Sequence, residues 1–299
     1  KKAFSQLPEI KVAIGHDCRN NSRKFAEASA KIFAANGFTV YLFEDLRPTP
    51  ELSFAIRELG CQTGIILTAS HNPKEYNGYK AYWDDGSQIV APHDEAIVEE
   101  VKNVKVEDIC WEGGTGRIII LGEEFDQKFI DKTTSVIINP EVVKKQGNIK
   151  IVYTPIHGTG VKIVPAALSQ AGFTNIIHVA EQDVVSGDFP TVVSPNPEEP
   201  AAMEMAMKKA AETDADIVMA TDPDADRIGV CTKNDKGEWI IVNGNQTALL
   251  FLYYIITQYK KLGKLKGNEF IVKTIVTSEL IAEIAKKNGI EYFDCYTGF

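Results

Sequence analysis

One pattern recurs three times and limits the architecture more than any other feature: apolar strand, helix, glycine, second apolar strand. In the first copy, residues 11–15 read as a strand. Asn20, Asn21 and Ser22 offer helix N-caps. Phe25, Ala28, Ser29, Ile32 and Phe33 then recur at helical spacing. Gly37 suits the left-handed position that ends a helix, and residues 38–43 form the next strand. The second copy has a strand over 149–153, a helix over 160–171, Gly172 as its stop and a strand over 176–179. The third has a strand over 270–275, a helix over 278–287, Gly289 and a strand over 290–293. Parallel strands need crossover connections, and the helices supply them. The three glycines lie on the order of 100 residues apart, too far for a solenoid. The pattern predicts tandem related three-layer α/β/α domains with mixed, mainly parallel sheets.

The copies are unequal in length. The first continues with a helix near 50–60, strands over 64–69 and 78–83, and a helix over 92–103. The second continues through a proline-rich connection to a helix over 201–212 and strands over 216–220 and 228–232. The third stops at Phe299, just after its second strand, so it reads as an incomplete domain. Turn-forming residues near Pro140 and Gly244 mark the borders. The expected domains are 1–140, 141–244 and 245–299.

Composition removes several function classes. The net charge is −9, with no basic block, which argues against nucleic-acid binding. The longest apolar runs, such as 248–257, are too short to span a bilayer, so no membrane role is expected. The first residues lack the apolar core of a signal peptide. Five cysteines, widely spaced and without a C-x-x-C pair, read as reduced thiols of a cytoplasmic protein.

Two motifs carry chemistry. The strand at 64–68 runs into Ala69-Ser70-His71-Asn72-Pro73, and Pro73 forces a turn. Ser70 and His71 thereby stand at the carboxyl end of a buried strand, where open α/β sheets present their sites. Lys80 returns on the following strand, so a hydroxyl, an imidazole and an ammonium converge. An ordinary turn with a solvated histidine fits the same four residues about as well.

The second motif is Asp222-Pro223-Asp224-Ala225-Asp226-Arg227, directly after an apolar strand. Three carboxylates at every second residue repel one another, and a hard divalent cation resolves that repulsion. An EF-hand is excluded, because Arg227 and Lys233 stand where its Gly and Glu are required. Mg²⁺ typically combines such carboxylates with a phosphate, and Arg227 suits phosphate pairing. A free serine hydroxyl is a weak nucleophile that needs a neighbouring base or prior phosphorylation. Together the motifs indicate phosphoryl transfer, without fixing a substrate.

Thr68 to Pro73, Tyr76-Asn77-Gly78-Tyr79-Lys80 and Asp222 to Arg227 resemble the signatures of the α-D-phosphohexomutases, the phosphoglucomutase/phosphomannomutase family. His157-Gly158-Thr159-Gly160 resembles the opening of that family's second domain. Phe189-Pro190 and Pro195 to Glu198 resemble its following loop, and Tyr296 to Phe299 the start of the third domain's sugar-recognition loop. The last is in the form of the branch with phosphopentomutase-like members.

The resemblance implies that Ser70 carries a phosphoryl group and donates it to a hexose monophosphate. A sugar bisphosphate intermediate then reorients and returns its other phosphoryl group. Asp222, Asp224 and Asp226 would bind Mg²⁺ with a phosphoserine oxygen from Ser70. His71 and Lys80 would serve proton transfer or phosphate stabilisation, with Arg227 on phosphate and Thr297 and Gly298 on substrate. The family's first strand and Gly/Arg-rich loop are not found in residues 1–10, and the rest of the third domain and the fourth are lacking. The 299 residues alone are therefore expected to hold metal but not to isomerise sugar phosphates.

Rival readings are a haloacid-dehalogenase-like phosphatase with Asp222 or Asp224 as nucleophile, a D-x-D glycosyltransferase, and a non-catalytic metal- or phosphate-binding fragment. His16, Asp17 and Arg19 read as a local turn network, His157 as a backbone turn, and Cys18 and Cys61 as buried thiols.

Overall fold

The computed structural model describes residues 2–297. The first unit contains β1 (Lys11–His16), α1 (Ser22–Ala35), β2 (Thr39–Phe43), α2 (Thr49–Leu59), β3 (Thr63–Leu67), β4 (Tyr79–Tyr82), α3 (His93–Asn103) and β5 (Arg117–Leu121). Its sheet runs β4-β3-β1-β2-β5, parallel except for β4. β1 lies near its centre because Val12, Ala13 and Ile14 are fully buried, as a strand covered on both faces requires. On one face Ala26 and Ala30 of α1 pack with Val12 and Ile14; small residues there let the helix come close. On the other, Leu52, Ala55 and Ile56 of α2 pack with Ala13, Phe43 and Ile66. A Cβ at Gly64 would fall 2.3 Å from Ile56 Cδ1, so glycine sets how closely α2 lies on β3.

Next come α4 (Glu123–Ser135) and α5 (Pro140–Lys145), then β6 (Ile151–Thr154), α6 (Gly160–Ala171), β7 (Ile176–His178), α7 (Ala180–Asp183), α8 (Pro200–Thr213), β8 (Ile217–Thr221), β9 (Ile228–Lys233) and β10 (Trp239–Val242). The second sheet runs β10-β9-β8-β6-β7. Its plan repeats the first: β8-β6-β7 are parallel like β3-β1-β2, and antiparallel β9 stands where β4 stands. The remaining elements are α9 (Gly244–Lys261), β11 (Phe270–Thr274), α10 (Leu280–Lys287) and β12 (Glu291–Cys295), with β11 and β12 parallel.

The repeated strand–helix–strand units and their mixed sheets match the expected fold class. Gly37, Gly172 and Gly289 all have positive φ just past a helix. Six elements were not anticipated: β5, α4, α5, α7, β10 and α9. The start of α1 also differs. Asn21 holds the N-cap position at φ 69° without a side-chain cap bond. Asp17 Oδ1 instead accepts from Ser22 Oγ at 2.7 Å and from the Arg19 N–H at 2.9 Å. Among the described residues no helix is long and apolar enough to cross a membrane.

Candidate active site

The serine and aspartate motifs stand at the carboxyl ends of β3 and β8. Ser70 has φ 51°, a conformation that its neighbours hold in place. Its N–H donates to Thr68 Oγ1 at 2.9 Å. Arg19, 3% exposed, threads the loop from beneath. Its guanidinium donates to the carbonyls of Ser70 at 2.7 Å, of Pro73 and Tyr76 at 2.9 Å, and of Asn72. Nε of Arg19 pairs with Asp17 Oδ2 at 3.3 Å. A planar fork with five donors suits such a cage, which an ammonium cannot reproduce.

The aspartate loop turns through Ala225 at φ 52°. Asp222 and Asp224 are fully buried, Asp226 is exposed, and one oxygen from each lies within 4.8 Å of the others. The loop rests on the turn before α6: the Thr159 N–H donates to the Pro223 carbonyl at 2.9 Å. A Cβ at Gly158 would sit 2.5 Å from Pro223 Cα, so glycine is required for that approach.

Folding joins the two loops. Ser70 Oγ lies 3.0 Å from Asp222 Oδ2, across 152 residues of sequence. His71 Nδ1 is 3.1 Å from the same Oγ. Lys80, on antiparallel β4, donates to Asp224 Oδ2 at 3.1 Å and lies 3.8 Å from Asp226 Oδ2. From the N-terminus of α2, Thr49 Oγ1 donates to Asp224 Oδ2 at 2.8 Å, and the Thr49 N–H donates to the Asp224 carbonyl at 2.8 Å. A second clasp brings Asn20 Nδ2 to Asp188 Oδ1 at 3.0 Å and the Arg19 guanidinium over the Phe189 ring at 5.2 Å.

Burial raises the pKa of Asp222, and the nearby Asp224 and Asp226 carboxylates push it further in the same direction. Burial also acts on Asp224, but the Lys80 ammonium and the hydrogen bonds from Thr49 and Lys80 overcome it and hold that carboxyl below the ordinary range. His71 is lowered by burial and by Arg227, which favours a neutral imidazole. The single Ser70 proton serves one acceptor at a time, and neutral His71 is one of the two within reach.

The donor set fits a hard cation. Asp224 Oδ1 is buried and receives no hydrogen bond from the described residues, although two donors crowd its Oδ2. Two further carboxylates lie beside it, and oxygen-only ligation is what Mg²⁺ selects.

The structure therefore brings Ser70, His71, Lys80, Asp222, Asp224 and Asp226 together. The Arg227 N–H donates to Asp222 Oδ1 at 3.1 Å, and its side chain is exposed beside the loop. Thr297 is exposed in a bend after β12, and Gly298 lies outside the described residues. Sequence reasoning missed Thr49 altogether and placed Arg19 only in a local turn. A threonine between two prolines after a strand, and an arginine two residues after an aspartate, are faint signals; their partners are fixed only by tertiary structure.

Models of the phosphoglucomutase/phosphomannomutase family match in order: α/β/α domain I over residues 2–108, domain II over 127–237 and domain III over 243–299. A probable phosphomannomutase of Haemophilus influenzae is 37% identical, over 100% of this chain and 60% of its own length. A probable phosphoribomutase of Schizosaccharomyces pombe is 35% identical, over 97% of this chain and 50% of its own. The chain thus spans about half the length of the curated relatives it matches. The crystal structure of a putative phosphomannomutase from Thermus thermophilus shares the fold with a TM-score of 0.77 at 23% identity, covering 99% of this chain and 63% of that one. With three successive domain models matched and the serine and aspartate signatures in their expected order, the chain belongs to the α-D-phosphohexomutase family, that of the phosphoglucomutases and phosphomannomutases.

Proposed function

We propose that this chain carries the phosphoryl-transfer centre of a phosphosugar mutase, interconverting 1- and 6-phosphates of glucose or mannose through a phosphoserine at Ser70. The observation that carries this reading is the 3.0 Å approach of Ser70 Oγ to Asp222 Oδ2. It sets a nucleophilic hydroxyl against the carboxylate cluster best suited to a divalent cation.

Asp222, Asp224 and Asp226 would hold Mg²⁺, which supplies positive charge against the charge developing on the transferred phosphoryl group. Ser70 Oγ forms the new bond to phosphorus as the sugar oxygen–phosphorus bond breaks. Neutral His71 takes the serine proton, and returning it to the sugar oxygen completes the balance. Lys80 keeps Asp224 ionised and adds positive charge at the inner edge of the site. Arg227 would pair with a phosphate oxygen, and Thr297 and Gly298 would serve substrate recognition. The domain borders near Pro140 and Gly244 belong to this reading.

Relatives named for hexose and for pentose phosphates are comparably similar, at 37% and 35% identity. A pentose phosphate substrate is therefore the second reading, and a panel of glucose, mannose and ribose phosphates, run on the protein with its third and fourth domains complete, separates the two. The mechanism itself is tested by intact mass after incubation with Mg²⁺ and a hexose bisphosphate. One phosphoryl group, a gain of about 80 Da, is expected on the unaltered chain and none on Ser70→Ala. An equal gain on Ser70→Ala rules the phosphoserine out.

A further inference from the structure

We infer that Thr49, a residue of the first unit, is a positioning residue for the metal centre of the second: its hydroxyl fixes which oxygen of Asp224 is left for the cation. The inference rests on the metal reading of the aspartate loop given above.

The two oxygens of Asp224 are treated differently. Oδ2 accepts from Thr49 Oγ1 at 2.8 Å and from Lys80 Nζ at 3.1 Å. Oδ1 is buried and receives nothing from the described residues. A carboxylate rotates about its Cβ–Cγ bond unless its oxygens are held. A flexible lysine stem, 21% exposed, holds orientation poorly, since its ammonium follows the carboxylate as it turns. The threonine hydroxyl sits on a short stiff side chain and does not follow.

Its backbone is also anchored. Pro48 and Pro50 flank Thr49, and their rings fix φ on both sides. The Thr49 N–H donates to the Asp224 carbonyl at 2.8 Å. Two residues earlier, the Arg47 N–H donates to the His16 carbonyl at 3.1 Å. The Arg47 guanidinium forms a two-pronged pair with Asp126 of α4, at 2.7 and 2.8 Å. Thr49 is thus tied to the end of β1, to α4 and to the aspartate loop. Its hydroxyl bond spans 175 residues of sequence, so docking of the first unit on the second completes the ligand geometry.

Partners that orient a metal ligand typically contribute 10–100-fold to metal affinity. Isothermal titration of Mg²⁺ into the 299-residue chain tests this directly. Thr49→Val keeps the shape and the N–H clasp but removes the hydroxyl, and it is expected to weaken Mg²⁺ binding about 10–100-fold. Thr49→Ser keeps the hydroxyl and is expected to retain the unaltered affinity. Should Thr49→Val fail to fold, Thr49→Ala removes the same group without branching, and the same loss is expected. Unaltered affinity in a hydroxyl-free variant, or an equal loss in Thr49→Ser, overturns the assignment of Thr49 and leaves the metal site standing. No Mg²⁺ uptake by the unaltered chain overturns the metal reading and this inference with it.

Discussion

Gly78→Ala is the smallest change that should misplace Ser70 without touching it. A Cβ on Gly78 would lie 2.3 Å from the carbonyl oxygen of Thr68, about 1.1 Å short of the 3.4 Å at which ordinary contact begins. The obstacle is backbone, and that backbone is committed: the Thr68 N–H donates to the Gly78 carbonyl at 3.1 Å at the end of the β3–β4 ladder. Relief must come from displacing Thr68. Thr68 Oγ1 receives the Ser70 N–H, so the displacement passes to the hydroxyl poised 3.0 Å from Asp222. A misplacement of about 1 Å at a reacting group costs on the order of 100-fold in rate. Overpacking costs about 1–3 kcal/mol of stability, which leaves a folded domain to assay. The assay is the rate at which the chain takes a phosphoryl group from a hexose bisphosphate, read by intact mass. Gly244→Ala is the control, because its Cβ would meet nothing closer than Glu198 Oε1 at 3.7 Å, at the first position of a helix. A folded Gly78→Ala protein that is phosphorylated at the unaltered rate refutes the link from Gly78 through Thr68 to Ser70.

Three further outcomes are expected. Mg²⁺ should raise the thermal midpoint of the unaltered chain and not of Asp224→Ala; a matching rise in the variant places the cation elsewhere. Arg19→Met orphans a buried Asp17 and the loop carbonyls, at a cost of about 3–5 kcal/mol, and an unchanged urea midpoint contradicts that. Glu51 is fully buried in α2; burial and the adjacent Asp126 push its carboxyl up to about 9. Because the folded pKa is raised, the folded chain holds a proton that the unfolded chain has released. Stability is then lost as pH rises from about 6 to 8, by about 1.4 kcal/mol per unit, and Glu51→Gln should abolish that slope in urea titrations. An equal slope in the variant assigns the loss to other groups.

The central plan was legible because strands covered on both faces must be continuous apolar runs, and glycine stops punctuate the helices between them. What escaped lacks the surrounding strand–helix–glycine pattern, even where the run itself is apolar, as in β5 and β10. α9 has Leu250, Phe251, Tyr253, Tyr254 and Ile255 exposed and only Ile256 buried, so no apolar stripe separates from a polar face. β5 is an edge strand whose place beside β2 is set by pairing far along the chain. At the site, the aspartate motif announces itself because alternating carboxylates repel one another without a cation, and the serine motif through its resemblance to a family signature. Thr49 and Arg19 do not. A threonine hydroxyl and a guanidinium have many uses, and only the docking of two units shows that one holds Asp224 and the other the serine loop.

The central claim is that the transferred group rides on Ser70 beside a metal-binding aspartate cluster. A phosphate ester on serine withstands neutral hydroxylamine, whereas an acyl phosphate on Asp222 or Asp224 is cleaved by it. The direct measurement is therefore the hydroxylamine sensitivity and peptide location of the adduct formed with a hexose bisphosphate and Mg²⁺. A resistant adduct on the peptide containing Ser70 is the predicted result. A labile adduct on the peptide containing Asp222 and Asp224 would contradict the account and make an aspartate the nucleophile.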